Sequence, residues 1–342
     1  MSLFLAVELD GAGAHPAAWR ASGAAPAAVI LPGPLREIVT AAEEGGFTLA
    51  TFADSPVPPS IGVDIAGRLE AVGRAAFVST TTSRIGLAPS VPTATTEPFH
   101  LAAQIASLDH ASRGRAAWVV EGSDSAELAT VGTDGPPGEA AEVVAVVRAL
   151  WDSWEDDAVI KDVATGRYLD PDKVHHVDFV GSSFSVKGPL ITPRPPQGQP
   201  VVLAADTLGV AADIALVSGQ DRLRERADAA RDTGAGLVFA EVEVVLDAHR
   251  PAASRLADLN RATPWTTRRT RYTGSAEGLV ALLADLAGTF DGVRLHPAVL
   301  AVDLPLLVEQ VLPALDIPAR GDTLRASLGL VKPTNRFEGS TR

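Results

Sequence analysis

Short apolar runs alternate along the chain with longer stretches in which apolar residues recur at helical spacing. Eight runs stand out, at 3–7 (LFLAV), 47–52 (FTLATF), 85–91 (IGLAPSV), 116–120 (AAWVV), 200–204 (PVVLA), 213–218 (DIALVS), 237–246 (LVFAEVEVVL) and 292–295 (GVRL). They are apolar without clean alternation, as expected of parallel strands covered on both faces. Helical patterns fall between them, at 34–44, 61–76, 97–111, 139–154, 221–233, 252–261, 276–287 and 304–315. The first opens on Pro34 and ends at Gly45-Gly46, residue types suited to a helix start and stop. A strand followed by a helix, repeated about eight times, predicts an α/β fold of the closed TIM type, a (β/α)8 barrel. An open doubly wound sheet is the competing architecture. Eight repeats and the lack of a G-x-G-x-x-G turn after the first run argue against it.

One long stretch departs from the alternation. Residues 155–199 carry many charges, Gly and Pro, and end in PLITPRPPQGQP. They read as an insertion between strands four and five, with short strands of its own. The whole chain, 1–342, then reads as a single domain, and residues 321–342 as a polar, basic tail extended over the surface. With 342 residues, 46% hydrophobic and 21% charged, the chain has ample material for one core. The net charge of −13 sets it against nucleic acid and anionic membranes as partners. There is no cysteine, which excludes disulfides, thiolate catalysis and cysteine metal sites. No stretch approaches the roughly 18 apolar residues of a membrane helix. The opening MSLFLAVELDG lacks a basic leader and reads as a first strand, so a cytoplasmic location is expected.

In such a barrel the chemistry gathers where the strands end. His15 follows the first strand, in HPAAW, and Asp54-Ser55 follow the second. Thr93, Thr95 and Thr96 follow the third, Glu121 and Ser123 the fourth, Asp206 and Thr207 the fifth, and His296 the eighth. The set is rich in hydroxyls with a few acids and poor in strong nucleophiles. It suits a polar cofactor that carries the chemistry itself. The same Ser, Thr and Asp residues would equally serve as caps for the helices that follow. His15 is the best single candidate for acid–base work, against a plain loop histidine bonded to backbone. His100 and His110 fall on a helix and read as structural, and Trp118 as barrel core. Trp151 and Trp154, at helical spacing, should pack under the insertion. His175-His176 make a poor chelate, since neighbours on a strand point apart, and no metal site is expected. There is neither a G-x-S-x-G elbow nor a P-loop.

Several segments closely resemble a known family. EPFHLAAQIASLDHASRGRAAW, from Glu97 to Trp118, is similar to a hallmark of the nitrilotriacetate, dibenzothiophene-sulfone and pristinamycin-type monooxygenases, a branch of the bacterial-luciferase-like superfamily. VVRALWDSWEDDAV, YLDPDK, FSVKGP, PRPPQG, HPAAWR, FADS and the closing GDTLRASLGLVKPTNR match the same branch, in order and over nearly the whole chain. The resemblance implies a barrel that binds reduced FMN supplied by a separate flavin reductase. With O2, that flavin oxygenates a small organic substrate in a water-poor pocket, and members are commonly homodimers. It assigns Asp54, Thr93 and Ser123 to flavin contacts and leaves His15 as the catalytic candidate. Thr95, Glu121, Asp206, Thr207 and His296 are further pocket candidates.

The chain departs from the family at identifiable positions. Val119 stands for an Asn, Gly122 for a Thr, Pro137 for a Tyr that helps hold the flavin phosphate, and Thr95 for an aromatic residue. Asp206-Thr207-Leu208-Gly209 replaces a Gly/Ser-rich phosphate loop, and an aspartate is electrostatically adverse there. The chain is also shorter than family members, with the missing stretch between Asn260 and Gly274. Two other readings therefore stay open. One is a repurposed barrel, either a partner subunit or a small-molecule binder. The other is a deazaflavin enzyme, which would also need a phosphate site.

Overall fold

Each of the eight apolar runs becomes one stave of a closed barrel in the computed structural model, which describes residues 2–58, 67–135 and 138–339. The first four strands are β1 (Phe4–Glu8), β2 (Leu49–Phe52), β3 (Gly86–Pro92) and β4 (Ala117–Glu121). Two short antiparallel hairpins follow, β5–β6 (Val159–Asp162, Arg167–Leu169) and β7–β8 (Phe179–Val180, Ser185–Val186). Then come β9 (Val201–Ala205), β10 (Ile214–Val217), β11 (Leu237–Leu246), β12 (Thr270–Gly274) and β13 (Gly292–Pro297). Strands β1, β2, β3, β4, β9, β10, β11 and β13 pair in that order, all parallel, and β13 pairs back to β1. Ala6 shows the closure, opposite Leu49 on one side and Arg294 on the other.

Strand β12 was not visible in the hydrophobic pattern. It pairs with β11 from Val242 to Leu246, above Ala240, where the pairing of β11 with β10 stops. Its residues are only partly covered and include Arg271 and Tyr272, so it lacks the apolar signature of a doubly covered strand.

The helices pack outside: α1 (Pro32–Gly45), α2 (Ala71–Ser79), α3 (Pro98–Ser112), α4 (Ser125–Val131), α5 (Glu139–Trp151), α6 (Leu223–Asp232), α7 (Ala252–Ala262), α8 (Ala276–Leu286) and α9 (Leu300–Leu306). The second helix, expected over 61–76, begins at Ala71, where the Glu70 carboxylate accepts from the amides of Val72 and Gly73. Residues 61–66 of that expectation lie outside the described residues. Helix α4 was not expected. It is short, yet Asp124 and Glu127 form a complete capping box at its start. The fifth helix stops at Trp151 instead of 154, and the Trp154 indole turns into the insertion to donate to the Leu190 carbonyl at 2.8 Å.

Inward-facing residues follow the two-residue strand period. Ala6, Leu49, Ala88, Val119, Leu203, Leu216 and Phe239 fill the lower barrel, all buried. Gly292 is required there, because a Cβ on it would lie 2.4 Å from the Phe239 ring. Leu324 and Leu328, from the segment after Gly321, join the same cluster and seal the base.

Candidate functional site

Two residues further along seven of the eight barrel strands, the inward layer changes from apolar to polar and charged; β9 ends instead on Ala205. Above Ala6 stands Glu8, and above Leu49 stands Thr51. Ser90 stands above Ala88, Glu121 above Val119, Ser218 above Leu216, Glu241 above Phe239, and Arg294 above Gly292. Strand pairing brings these groups together. Thr51 donates to Glu8 at 2.8 Å, and Arg294 ion-pairs with Glu8. Arg294 also donates to Thr51 at 3.0 Å and to Glu241 at 3.2 Å. The Ser218 hydroxyl donates to Glu241 as well. Glu8, Thr51, Glu241 and Arg294 are each less than 7% exposed. One layer higher, His296 Nε2 lies 3.2 Å from Glu241, and Glu243 pairs with Arg271 at 2.9 Å.

Burial alone would raise the Glu8 carboxyl. Arg294, His296 and the Thr51 hydroxyl overcome it and hold Glu8 at about 2. Burial would likewise raise Glu241, but the His296 hydrogen bond and Arg294 hold it well below the usual carboxylate range. Both are therefore ionised and accept hydrogen bonds. His296 is pulled the other way: burial first, with Arg269 and Arg294 adding to it, lowers it to about 4 against the opposing Glu241. The imidazole is neutral at pH 7, its Nε2–H donates to Glu241, and its Nδ1 lone pair takes no hydrogen bond among the described residues. Glu121 is half-buried beside the Ser90 hydroxyl, and burial raises its pKa against the pull of Arg294.

Above this layer opens a cavity of about 370 Å³ among the described residues. Glu8, Glu121, Arg294 and His296 line its floor, and Asp10, Arg68, Arg74 and Arg269 its sides. The loop after β1, from Asp10 to Trp19, forms one wall. Gly13 lets that loop lie against the end of β13, since it has φ +136° and a Cβ on it would fall 2.4 Å from the Ala298 carbonyl. The arginines differ in how they are held. Arg294 is fully paired, and Arg74 donates to Asp10 at 2.7 Å. Arg68 reaches Asp10 only at 3.8 Å. Arg269 stands 3.6 Å from Glu241 and 3.8 Å from Glu243.

His15 lines this cavity, yet both its nitrogens are committed. Nδ1 accepts from the Ala17 amide at 3.0 Å, and Nε2 is 3.1 Å from Asn260 Oδ1. The ring packs edge-on to Trp265 at 5.0 Å, and burial lowers its pKa. This geometry makes His15 part of the cavity wall, with both ring nitrogens hydrogen-bonded within the chain. Trp265 comes from the short 263–269 connection between α7 and β12, and Arg271 lies over its other side at 4.2 Å.

The remaining sequence candidates divide into two further places. Asp54 and Thr95 line a neighbouring groove with Thr96 and Arg68. The Asp54 carboxylate accepts from the amides of Ser55 and Ala71, both at 2.8 Å, which makes it an anchor for the start of α2. Thr93 is buried at the end of β3, its amide 3.3 Å from the Glu121 carbonyl. The loops after β4 and β9 meet each other: a Cβ on Gly122 would lie 3.2 Å from Leu208. Asp206 is gripped by Arg226 of α6 at 2.7 and 2.5 Å, and Thr207 is exposed. The Ser123 hydroxyl is buried with no hydrogen-bond partner among the described residues. Pro137 lies outside the described residues. Glu121, His296 and His15 thus share the mouth cavity, whereas Asp206, Thr207 and Ser123 sit apart from it. Glu8, Thr51, Glu241 and Arg294 were missed by the sequence reading. The two-residue period was the available signal, since each is the first polar residue on the inward face of its strand.

Among the described residues no helix is long and apolar enough to cross a membrane. The model of the luciferase-like monooxygenase family matches residues 13–270. N-acetyl-S-(2-succino)cysteine monooxygenase of Bacillus subtilis (strain 168) is 38% identical over 214 residues, 60% of this chain but only 48% of that protein. A pristinamycin IIA synthase component of Streptomyces pristinaespiralis, one of that synthase's subunits, is 35% identical over 317 residues, 92% of this chain and 95% of that one. The chain thus spans about half of the first relative and nearly all of the second, so the shortness expected against the family does not hold for every relative. Among solved structures, a riboflavin lyase with modified FMN and riboflavin superposes with a TM-score of 0.82 at 20% identity, covering 99% of this chain and 98% of that one. That likeness concerns the fold.

Proposed function

The chain belongs to the luciferase-like monooxygenase family, and from that premise we propose that its barrel mouth takes a reduced flavin, FMN, from a separate reductase and uses it with O2 to oxygenate a small organic substrate. The observation that carries this reading is the cavity of about 370 Å³ over a floor where the Glu8–Arg294 ion pair stands beside Glu121 and a neutral His296. Its size falls in the range of cofactor sites. Its floor offers both donors and acceptors held in place before a ligand arrives, which is what preorganised electrostatic stabilisation needs.

The residues present fit the flavin ring in the mouth. Glu121, His296 and the β1 loop would hold it, and the loosely paired Arg269 is the cation open to its phosphate. The loop after β9 does not fit a phosphate, because Arg226 is already bound to Asp206 and Leu208 packs against Gly122. When bound, reduced flavin supplies two electrons, so that one oxygen atom enters the substrate and the other leaves as water. The protein's own part is to bind, orient and exclude solvent. Glu121 keeps a carboxyl at the floor whose pKa burial raises, and His296 Nδ1 presents a lone pair nearby. These two are the acid–base pair of the proposal, in place of His15. Ser123, with an unused hydroxyl, remains a flavin contact only if the β4 loop shifts. Asp54 and Thr93 support the mouth from behind.

Anaerobic titration with reduced FMN tests this reading. Saturation in the micromolar range is expected, and Arg269→Gln should weaken it. Failure to bind up to about a millimolar, weaker than roughly −4 kcal/mol, would sink it. A second reading then gains from two observations, the closed β9 loop and the full-length similarity to one subunit of a synthase. The barrel would then be a partner subunit that works beside a longer homologue, and it would gain thermal stability from that homologue.

A further inference from the structure

The mouth cavity has an arm. A second cavity, of about 180 Å³, lies between the β1 loop, α1 and α9. It shares Gly11, Ala12, Trp19, Val29 and Arg74 with the mouth, so the two adjoin along these residues. Their linings differ in kind. The arm is walled by aliphatic residues and small ones, among them Leu9, Val29, Leu35, Ile38, Leu300 and Ala28. Arg74 stands at the junction and is 6% exposed. Beside it Arg68 and Arg74 share one carboxylate, Asp10, at 3.8 and 2.7 Å. Two cations around one anion leave an unbalanced positive charge where the arm meets the mouth. A partly exposed cation at 3.8 Å from its nearest carboxylate, beside a buried one, favours an anionic partner.

We propose that this arm is the substrate subsite, and that it takes a monoanionic amphipath. The carboxylate sits against Arg68 and Arg74, and the aliphatic tail runs into the arm towards Leu35, Ile38 and Leu300. The inference rests on the proposed oxygenation and adds a substrate class to it. At about 30 Å³ for each water-sized group, the arm has room for about six methylenes. Burying each methylene from water is worth about 0.8 kcal/mol, close to a fourfold change in affinity. The flavin end of the mouth, at Arg269 and His296, stays free for the cofactor.

The test needs neither flavin nor turnover. Linear carboxylates from four to twelve carbons are titrated calorimetrically into the flavin-free protein, beside the matching primary alcohols. Affinity is expected to rise about fourfold per methylene and to level off once about six methylenes are buried. The acids should bind more tightly than the alcohols. Ala28→Phe fills the arm from a half-buried turn and should flatten the dependence on length. Ala301→Phe, from an exposed position on α9, should do the same if the first variant folds poorly. Arg68→Gln should weaken all the acids by a similar factor, leave the alcohols unchanged and keep the slope. A length dependence that survives both plugged variants, or acids and alcohols binding alike, would overturn the proposal. So would no binding at any length. If reduced FMN binds while this series fails, the substrate class is wrong and the cofactor reading stands. If the series succeeds while FMN fails, the barrel is a binder of anionic amphipaths and not an oxygenase.

Discussion

The two ends of the barrel both bury charge, and they treat it in opposite ways. At the base, Arg115 donates to five acceptors, four of them backbone carbonyls, at 2.8–3.0 Å. Asp109 accepts from the Ala116 amide and twice from Gln197. Burial raises Asp109 to about 6 despite those bonds. These groups spend their hydrogen-bonding capacity on one another and on the backbone. At the mouth, Glu8, Arg294 and Glu241 are as deeply buried, but His296 Nδ1, Glu121 and Arg269 keep capacity for something outside the chain. A network closed on itself fixes a fold, whereas one left open over a cavity can bind. The difference assigns stability to the base and function to the mouth, and it can be pressed from both sides.

The largest expected effect is at the mouth. Arg294→Met leaves Glu8 and Glu241 buried without their cation, and removing one partner of a buried pair typically costs about 3–5 kcal/mol. Denaturant melts should show that loss, together with loss of flavin binding. The matching cut at the base, Arg115→Met, frees several buried carbonyls and should cost about 3 kcal/mol. There, however, any flavin affinity should stay within about twofold of the wild type once the protein is folded. If Arg115→Met abolished flavin binding in a folded protein, the division between base and mouth would fail.

Acid acts on both ends of the barrel, in opposite directions. His296 is held at about 4 against an ordinary 6.5, so between those values the unfolded chain binds a proton that the folded one refuses. The His296 contribution is then complete above pH 6.5 and falls by about 3 kcal/mol as pH drops to 4, while Asp109, raised to about 6 at the base, contributes in the opposite sense over much of the same window. Glu8, held at about 2 against 4.5, contributes stability above pH 4.5 that is lost as pH falls further towards 2. His296→Asn should remove the His296 contribution, so that the stability difference between wild type and variant changes by about 3 kcal/mol between pH 6.5 and 4 and stays flat below it. An unchanged slope in that variant would mean that His296 is not the group responsible.

The smallest effect separates cofactor parts. Arg269→Gln should weaken reduced FMN about tenfold, near 1.4 kcal/mol, and leave reduced riboflavin, which has no phosphate, unchanged. Equal losses for both would place Arg269 at the ring instead of the phosphate.

The same contrast explains what could be read from the sequence. Every barrel strand was legible, because a doubly covered strand is a dense apolar run. β12 was not, since it is only half covered and carries Arg271 and Tyr272. The most recognisable family segment, Glu97 to Trp118, proves to be scaffold: Glu97 caps α3, Asp109 and Arg115 tie the base, and Trp118 is core. His296 and Glu121, expected from their place at strand ends, line the mouth cavity. Glu8, Glu241 and Arg294 were not expected, because a charge within an apolar run, or directly after one as for Glu8, looks like an interruption until the strand period shows that all three point inward. Asp54 and His15 stand in the loops after β2 and β1, where hydrogen bonds that only the fold reveals occupy their polar atoms.

The most direct test of mouth against base is hydrogen–deuterium exchange with and without reduced FMN under anaerobic conditions. Protection is expected in the β1 loop, 10–19, and in 263–271, with no change at Asp206–Gly209 or around Arg115. Protection confined to the loop after β9, with the mouth unaffected, would contradict the division of the barrel into a binding mouth and a structural base.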